Sequence, residues 1–169
     1  MEFTKVIRMF LGKRLLLLSH FVVLFFSLFL ISSCDGIDCT VNNVVALHMG
    51  FYSSEGTAQS ITDTLSITAA GTDSVLLNRA VGVKEVDLPM SYNAKADTLS
   101  LLFGKQVVTL CLTKTDKAHF ESPDCPVVVF HELVNLEYDD PAGLFDSIVI
   151  VRKSVNNEPL ENIRFYFAD

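Results

Sequence analysis

The sequence has no tryptophan and few basic side chains: of 169 residues, 13 are lysine or arginine and 20 are aspartate or glutamate. It has no internal repeat, no low-complexity tract and no interdomain linker rich in proline, glycine or serine, so one domain is the economical reading at this length. There is no Gly-x-Ser-x-Gly elbow, no phosphate-cradling glycine pattern and no EF-hand spacing. Hydrolase, nucleotide-binding and calcium-binding readings therefore have no motif to rest on. No loop is rich in aromatics of the kind that stack on sugar rings; Tyr52 and Tyr92, near turns, are the nearest approach. Half of the residues are apolar, which is enough for a buried core and excludes disorder as the class.

The one long apolar run is at the amino terminus. Lys5, Arg8, Lys13 and Arg14 precede Leu15 to Ile31, a stretch of 17 residues interrupted by Ser19, His20 and Ser27. Basic region, apolar core and small residues come in the order of a secretory signal. The run is also somewhat short for a spanning helix. Ile31-Ser32-Ser33-Cys34 resembles the bacterial lipobox, an aliphatic residue and two small ones before a cysteine. That resemblance implies a signal helix over residues 1–33 that is removed, and a Cys34 that is diacylated on sulfur and becomes the first residue of the mature chain. Two acyl chains suffice for stable anchoring where one is marginal. The alternative is an uncleaved anchor helix with an incidental cysteine. Residues 34–169 carry 19 acidic and nine basic side chains, a surplus that repels nucleic acid and anionic headgroups. The expected partner is thus a membrane reached through lipid, with no nucleic acid.

Residues 34–40 form a short polar tether, and residues 41–169 alternate with period two. Val45, Leu47, Met49 and Phe51 share one strand face; so do Leu65, Ile67 and Ala69, then Leu99, Leu101 and Phe103, then Val108, Leu110 and Leu112. Ile148 and Ile150 repeat the pattern, as do Ile163, Phe165 and Phe167. Turn chemistry falls at Ser53 to Gly56, Gly71 to Asp73, Ser91 to Asp97, Gly104-Lys105, Thr115 to Lys117, Asp139 to Gly143 and Asn156 to Pro159. Gly104-Lys105 predicts a two-residue hairpin. Residues 74–90 read as two short strands around a bend, the second stopped by Pro89. Val127 to Tyr138, apolar on both faces, reads as a central strand with a β-bulge near His131. The expected fold is all-β, an antiparallel sandwich of about eight strands, immunoglobulin-like, following the signal helix.

Candidate chemistry is sparse. His131 and Glu132 are adjacent, so on a strand they face opposite ways. His119 and Glu121 share a face, but two ligands do not make a metal site. Solvated edge residues are the plainer reading for all four, and no metal or other cofactor is expected. Glu137, Asp139 and Asp140 read as a solvated turn. Three cysteines remain after Cys34. Cys39 and Cys125 stand at strand entrances and are the preferred disulfide; Cys111–Cys125 is the alternative, with Cys111 otherwise a buried structural residue. An enzyme is not expected. The readings left are a binding or assembly module of the cell envelope, presenting an edge or loops to a glycan, peptide or envelope protein, and a structural envelope component without a small ligand.

Several pieces of the chain are similar to an uncharacterised family of small lipoproteins of Bacteroidetes. They are Asp38-Cys39 with Asn42-Asn43, Gly50-Phe51-Tyr52, Asp63-Thr64-Leu65, Gly71-Thr72-Asp73-Ser74, Leu88-Pro89-Met90, His119-Phe120-Glu121-Ser122, Asp124-Cys125, Phe130-His131-Glu132, Asp146-Ser147-Ile148 and Glu161-Asn162-Ile163. Pro126 departs from the family pattern, which has glycine after the second cysteine. The resemblance implies the fold, export and an outer-membrane destination with the face undecided; the family carries no established activity. It also implies a lineage that attaches O-glycans at Asp, then Ser or Thr, then an apolar residue or Thr. Thr64, Ser74, Thr98 and Ser147 stand in that context, which is equally what a turn-to-strand junction looks like.

Overall fold

The computed structural model describes residues 45–72, 74–120, 122–123 and 125–169, within a compact unit running Cys39–Asp169. Residues 1–44, with the expected signal helix, the expected tether, Cys34 and Cys39, lie outside the described residues, as do Asp73, Glu121 and Asp124.

Ten strands follow one another: β1 (Leu47–Tyr52), β2 (Leu65–Ala69), β3 (Val75–Ala80), β4 (Glu85–Leu88), β5 (Ala96–Phe103), β6 (Gln106–His119), β7 (Val128–Asp139), β8 (Phe145–Ile150), β9 (Ser154–Val155) and β10 (Ile163–Phe167). No helix occurs among the described residues. One sheet has the order β4-β1-β10-β8 and the other β3-β2-β5-β6-β7-β9. All pairings are antiparallel except β1 with β10, where Met49 stands beside Ile163 and Phe51 beside Phe165. The expected β-sandwich is what forms, with two small strands more than the alternation indicated.

The alternating apolar rows turn inward and meet. Leu65, Ile67, Leu101, Val108, Leu110 and Leu112 of the larger sheet are fully buried, as are Leu47, Met49, Phe51, Ile163 and Phe165 of the smaller. Phe103 bridges the two sheets, edge-on to Phe51 at 6.1 Å and to Phe145 at 5.3 Å, the arrangement aromatic quadrupoles favour. Gly104 supplies the positive φ of 59° at the first position of the β5–β6 turn, as a tight hairpin requires.

Two expectations are corrected and one is located. Thr115 to Lys117 is no turn: β6 continues through them to His119, paired with β7 from Val128 to Asp139. A polar tripeptide stays extended because a neighbouring strand satisfies its backbone. The bulge expected in β7 near His131 is present, at Val134, left over where the register steps from Thr113–Asn135 to Lys114–Leu133. Cys111 is not buried among apolar side chains; it alternates with Leu110 and Leu112 and is a half-buried free thiol on the outward face. That also removes Cys111–Cys125 as a bridge, while Cys125 is disulfide-bonded.

Candidate functional site

The inward row of β6 runs Val108, Leu110, Leu112 and then Lys114, and the next residue on that face, Asp116, comes out into solvent. Where the apolar residues end, the row carries charge. Opposite Asp116 across the β6–β7 ladder stands His131, itself flanked by Val155 of β9. Lys114 is 2% exposed and His131 3%. A buried charge is costly unless paired and hydrogen-bonded, and here it is both. Lys114 Nζ donates to Asp116 Oδ1 at 2.8 Å and to the Ser91 carbonyl at 2.6 Å. His131 Nδ1 lies 2.7 Å from the same Asp116 oxygen. Burial alone would raise the Asp116 carboxyl, but the hydrogen bonds from Lys114 and His131 outweigh it and hold it below the usual carboxylate range.

The cluster is tied to the loop between β4 and β5. Asp97 accepts from the Ser91 hydroxyl at 2.5 Å and from the Ser91 amide at 3.3 Å, closing that loop on itself. The loop then lays Tyr92 over His131, with ring centroids 6.3 Å apart, while Tyr92 stays 68% exposed. Between loop and hairpin lies a cleft of about 510 Å³, lined by Tyr92, Asn93, Lys95, Lys114, Asp116 and Val134 among others. It opens where β5 ends: the β5–β6 ladder stops at Ala96–Thr113, and Lys114 N donates to Lys95 O at 2.9 Å as its last bond.

A second polar group covers the outer face of the smaller sheet. Glu161 accepts from Tyr52 Oη at 2.8 Å and from Arg164 Nε at 2.5 Å, and the Arg164 guanidinium lies 4.9 Å from the Tyr52 ring centre. The glutamate enters a hollow left by Gly50, where a Cβ would stand 1.8 Å from Glu161 Oε1. Burial, then the Glu161 hydrogen bond and charge, push the Tyr52 phenol up.

Of the residues singled out from sequence, His131 belongs to the first cluster and is buried rather than solvated, facing away from Glu132. His119 stacks on Phe130 at 4.3 Å; Glu121 lies outside the described residues. Among the described residues, no three His, Cys, Asp or Glu side chains converge as metal ligands. Glu137 and Asp139 belong to β7, and the turn is Asp140–Gly143, in which Asp140 Oδ2 accepts from Phe145 N at 2.8 Å. The four hydroxyls of the Asp-Ser/Thr-apolar contexts all lie off the core: Ser74 is exposed, and Thr64, Thr98 and Ser147 are half-buried. Lys114 and Asp116 were missed. Their signal was Lys114 falling two residues after Leu112 in an inward row.

Fold and cleft together define an all-β sandwich domain with a polar cluster closing one end of its core and a cleft beside it. The model of a family of unknown function, DUF6452, matches residues 64–167, and the chain belongs to that family. The match includes Lys114, Asp116 and His131 and begins after β1. No curated protein and no solved structure matches the chain.

Proposed function

We propose that the protein is an exported, lipid-anchored binding or assembly module of the cell envelope, held through Cys34 at the outer membrane. The observation that carries the binding role is the cleft beside Tyr92. An exposed aromatic ring, an amide and an ionised carboxylate converge on one opening, and the Asp97–Ser91–Lys114–Asp116–His131 network holds them in place. Sites with few, fixed polar groups around an opening are the usual form of a binding site. The lipobox at Cys34 and the acidic mature chain support anchoring by lipid rather than by charge. Cys39 is proposed as the partner of Cys125, since Cys111 is free. Modification of the Asp-Ser/Thr-apolar contexts is proposed at Ser74 first, because its hydroxyl is exposed at the entrance to β3 whereas Thr98 lies between two paired strands.

Two measurements test the reading. Cys34→Ala is expected to move the protein out of the membrane fraction; unchanged retention would mean an uncleaved anchor. A photo-crosslinking residue placed at Tyr92 is expected to give an adduct in intact cells that the same residue at Val75 does not. Without such an adduct, the protein reads as a structural component with no bound partner.

A further inference from the structure

We propose that the open edge of β6 at Thr115–His119 is a strand-addition site for an extended segment of a partner polypeptide that presents a basic side chain to Asp116. This rests on the binding role proposed for the cleft and names its partner class. The backbone argument comes first. On the β7 side, β6 is paired as far as His119; on the β5 side, pairing stops at Thr113. Lys114 donates its amide toward β5, so by the alternation of a strand the amides of Asp116 and Ala118 point the same way. Among the described residues, no strand meets them. A row of unpaired backbone groups is a template for another chain, and main-chain bonds of this kind supply the affinity in strand-addition complexes.

Three of the other edge strands are blunted, and the fourth, β8, leaves a six-residue edge with no cleft described beside it. Edge strand β3 is bulged against β2, with Arg79 at a φ of 48° and its amide donating to the Ser66 hydroxyl at 3.0 Å. β4 has four residues and β9 two. The β6 edge has five residues in regular extension, with exposed Tyr92 at one end and Phe120, 65% exposed, just past the other. The cleft lies at its start, on the line that β5 vacates.

The side-chain argument gives the partner its charge. Asp116 Oδ1 takes both internal hydrogen bonds. Asp116 Oδ2 has no protein partner among the described residues, and the carboxylate lines the same cleft as Tyr92. A carboxylate beside an aromatic ring suits an ammonium or guanidinium, which pairs with the one and lies over the other. Lys114 is committed at the base, and Lys95 stands at the rim. The acidic surplus of residues 34–169 favours approach by a basic segment.

The test uses the full lipidated chain in detergent micelles, panned against a phage library of random peptides, with the selected peptides then synthesised. Expected are peptides sharing a Lys or Arg, and slowed hydrogen exchange at the Asp116 and Ala118 amides on binding. Ala118→Pro removes an amide that faces the open edge and no ladder bond. It should weaken binding roughly five- to tenfold, the effect of one lost backbone hydrogen bond, with the melting transition unchanged. Asp116→Asn should remove the preference for a basic residue. The proposal is overturned if no peptide is enriched, if protection falls elsewhere, or if Ala118→Pro folds and binds equally. Should Ala118→Pro fail to fold, the exchange map of the unsubstituted protein decides alone. A Tyr92 adduct in cells without peptide binding would leave the binding role standing and refute strand addition; absence of both would refute the two together.

Discussion

A charged pair where the inward row of a strand comes out into solvent sets a pH dependence at the scale of single residues. Asp116 is held below its ordinary value when folded, so the stability it contributes is complete above about pH 4 and is lost as pH falls through the lower folded value. Urea unfolding at neutral pH and near pH 3 should therefore show a shallower loss for Asp116→Asn than for the unsubstituted protein. Equal losses would mean that the Lys114 and His131 bonds contribute nothing to the acid limb. Gly50 sets a second test. Gly50→Ala would displace Glu161 from its hollow and break its bonds to Tyr52 and Arg164. The cost is expected at about 1–2 kcal/mol, that of the lost Glu161 hydrogen bonds, because the displaced atom is the free end of a flexible side chain. Tyr52→Phe, which removes one hydrogen bond, should cost about 1 kcal/mol. Denaturant midpoints compared among the three proteins would show whether that order holds.

Single strands show what was legible in the sequence. Leu65 and Ile67, Leu99 to Phe103, and Val108 to Leu112 announce their faces by strict alternation, and the Gly104-Lys105 turn follows from two residues between two such runs. Thr115-Asp116-Lys117 carries no apolar residue on either face, so it looks like a turn. Its extension is set by β7, whose register is a long-range property that local residues do not encode. The same gap concealed the site. His131 stands out in the sequence, but the residue it meets, Asp116, is 15 positions away and is found only once the hairpin register is known. Because backbone direction alternates along β6, a proline at Lys117 should remove a bond to β7, while one at Ala118 should not. Lys117→Pro is expected to destabilise by about 1 kcal/mol or more and Ala118→Pro by much less, measurable by thermal unfolding. Equal effects would place the open edge on the wrong side of the strand.

Across the whole molecule, the aromatic cluster is the joint. Phe165 contacts Phe51 at 5.0 Å and Phe145 at 5.2 Å and is fully buried. Phe165→Ala is expected to cost about 3–5 kcal/mol, and calorimetry should show one cooperative transition at lower temperature rather than two. The parallel pairing of β1 with β10 has a further consequence. His48 and Asn162, 114 residues apart, bond through the His48 amide to the Asn162 side chain and the Asn162 amide to the His48 carbonyl. β10 lies inside its sheet, between β1 and β8, so the smaller sheet has a gap in its middle until residues 163–167 join β1, more than a hundred residues earlier in the chain. Closing so long a loop is slow. For a polypeptide that, on the reading proposed, is threaded through a membrane before it folds, that delay would keep the early strands translocatable until β10 reaches them.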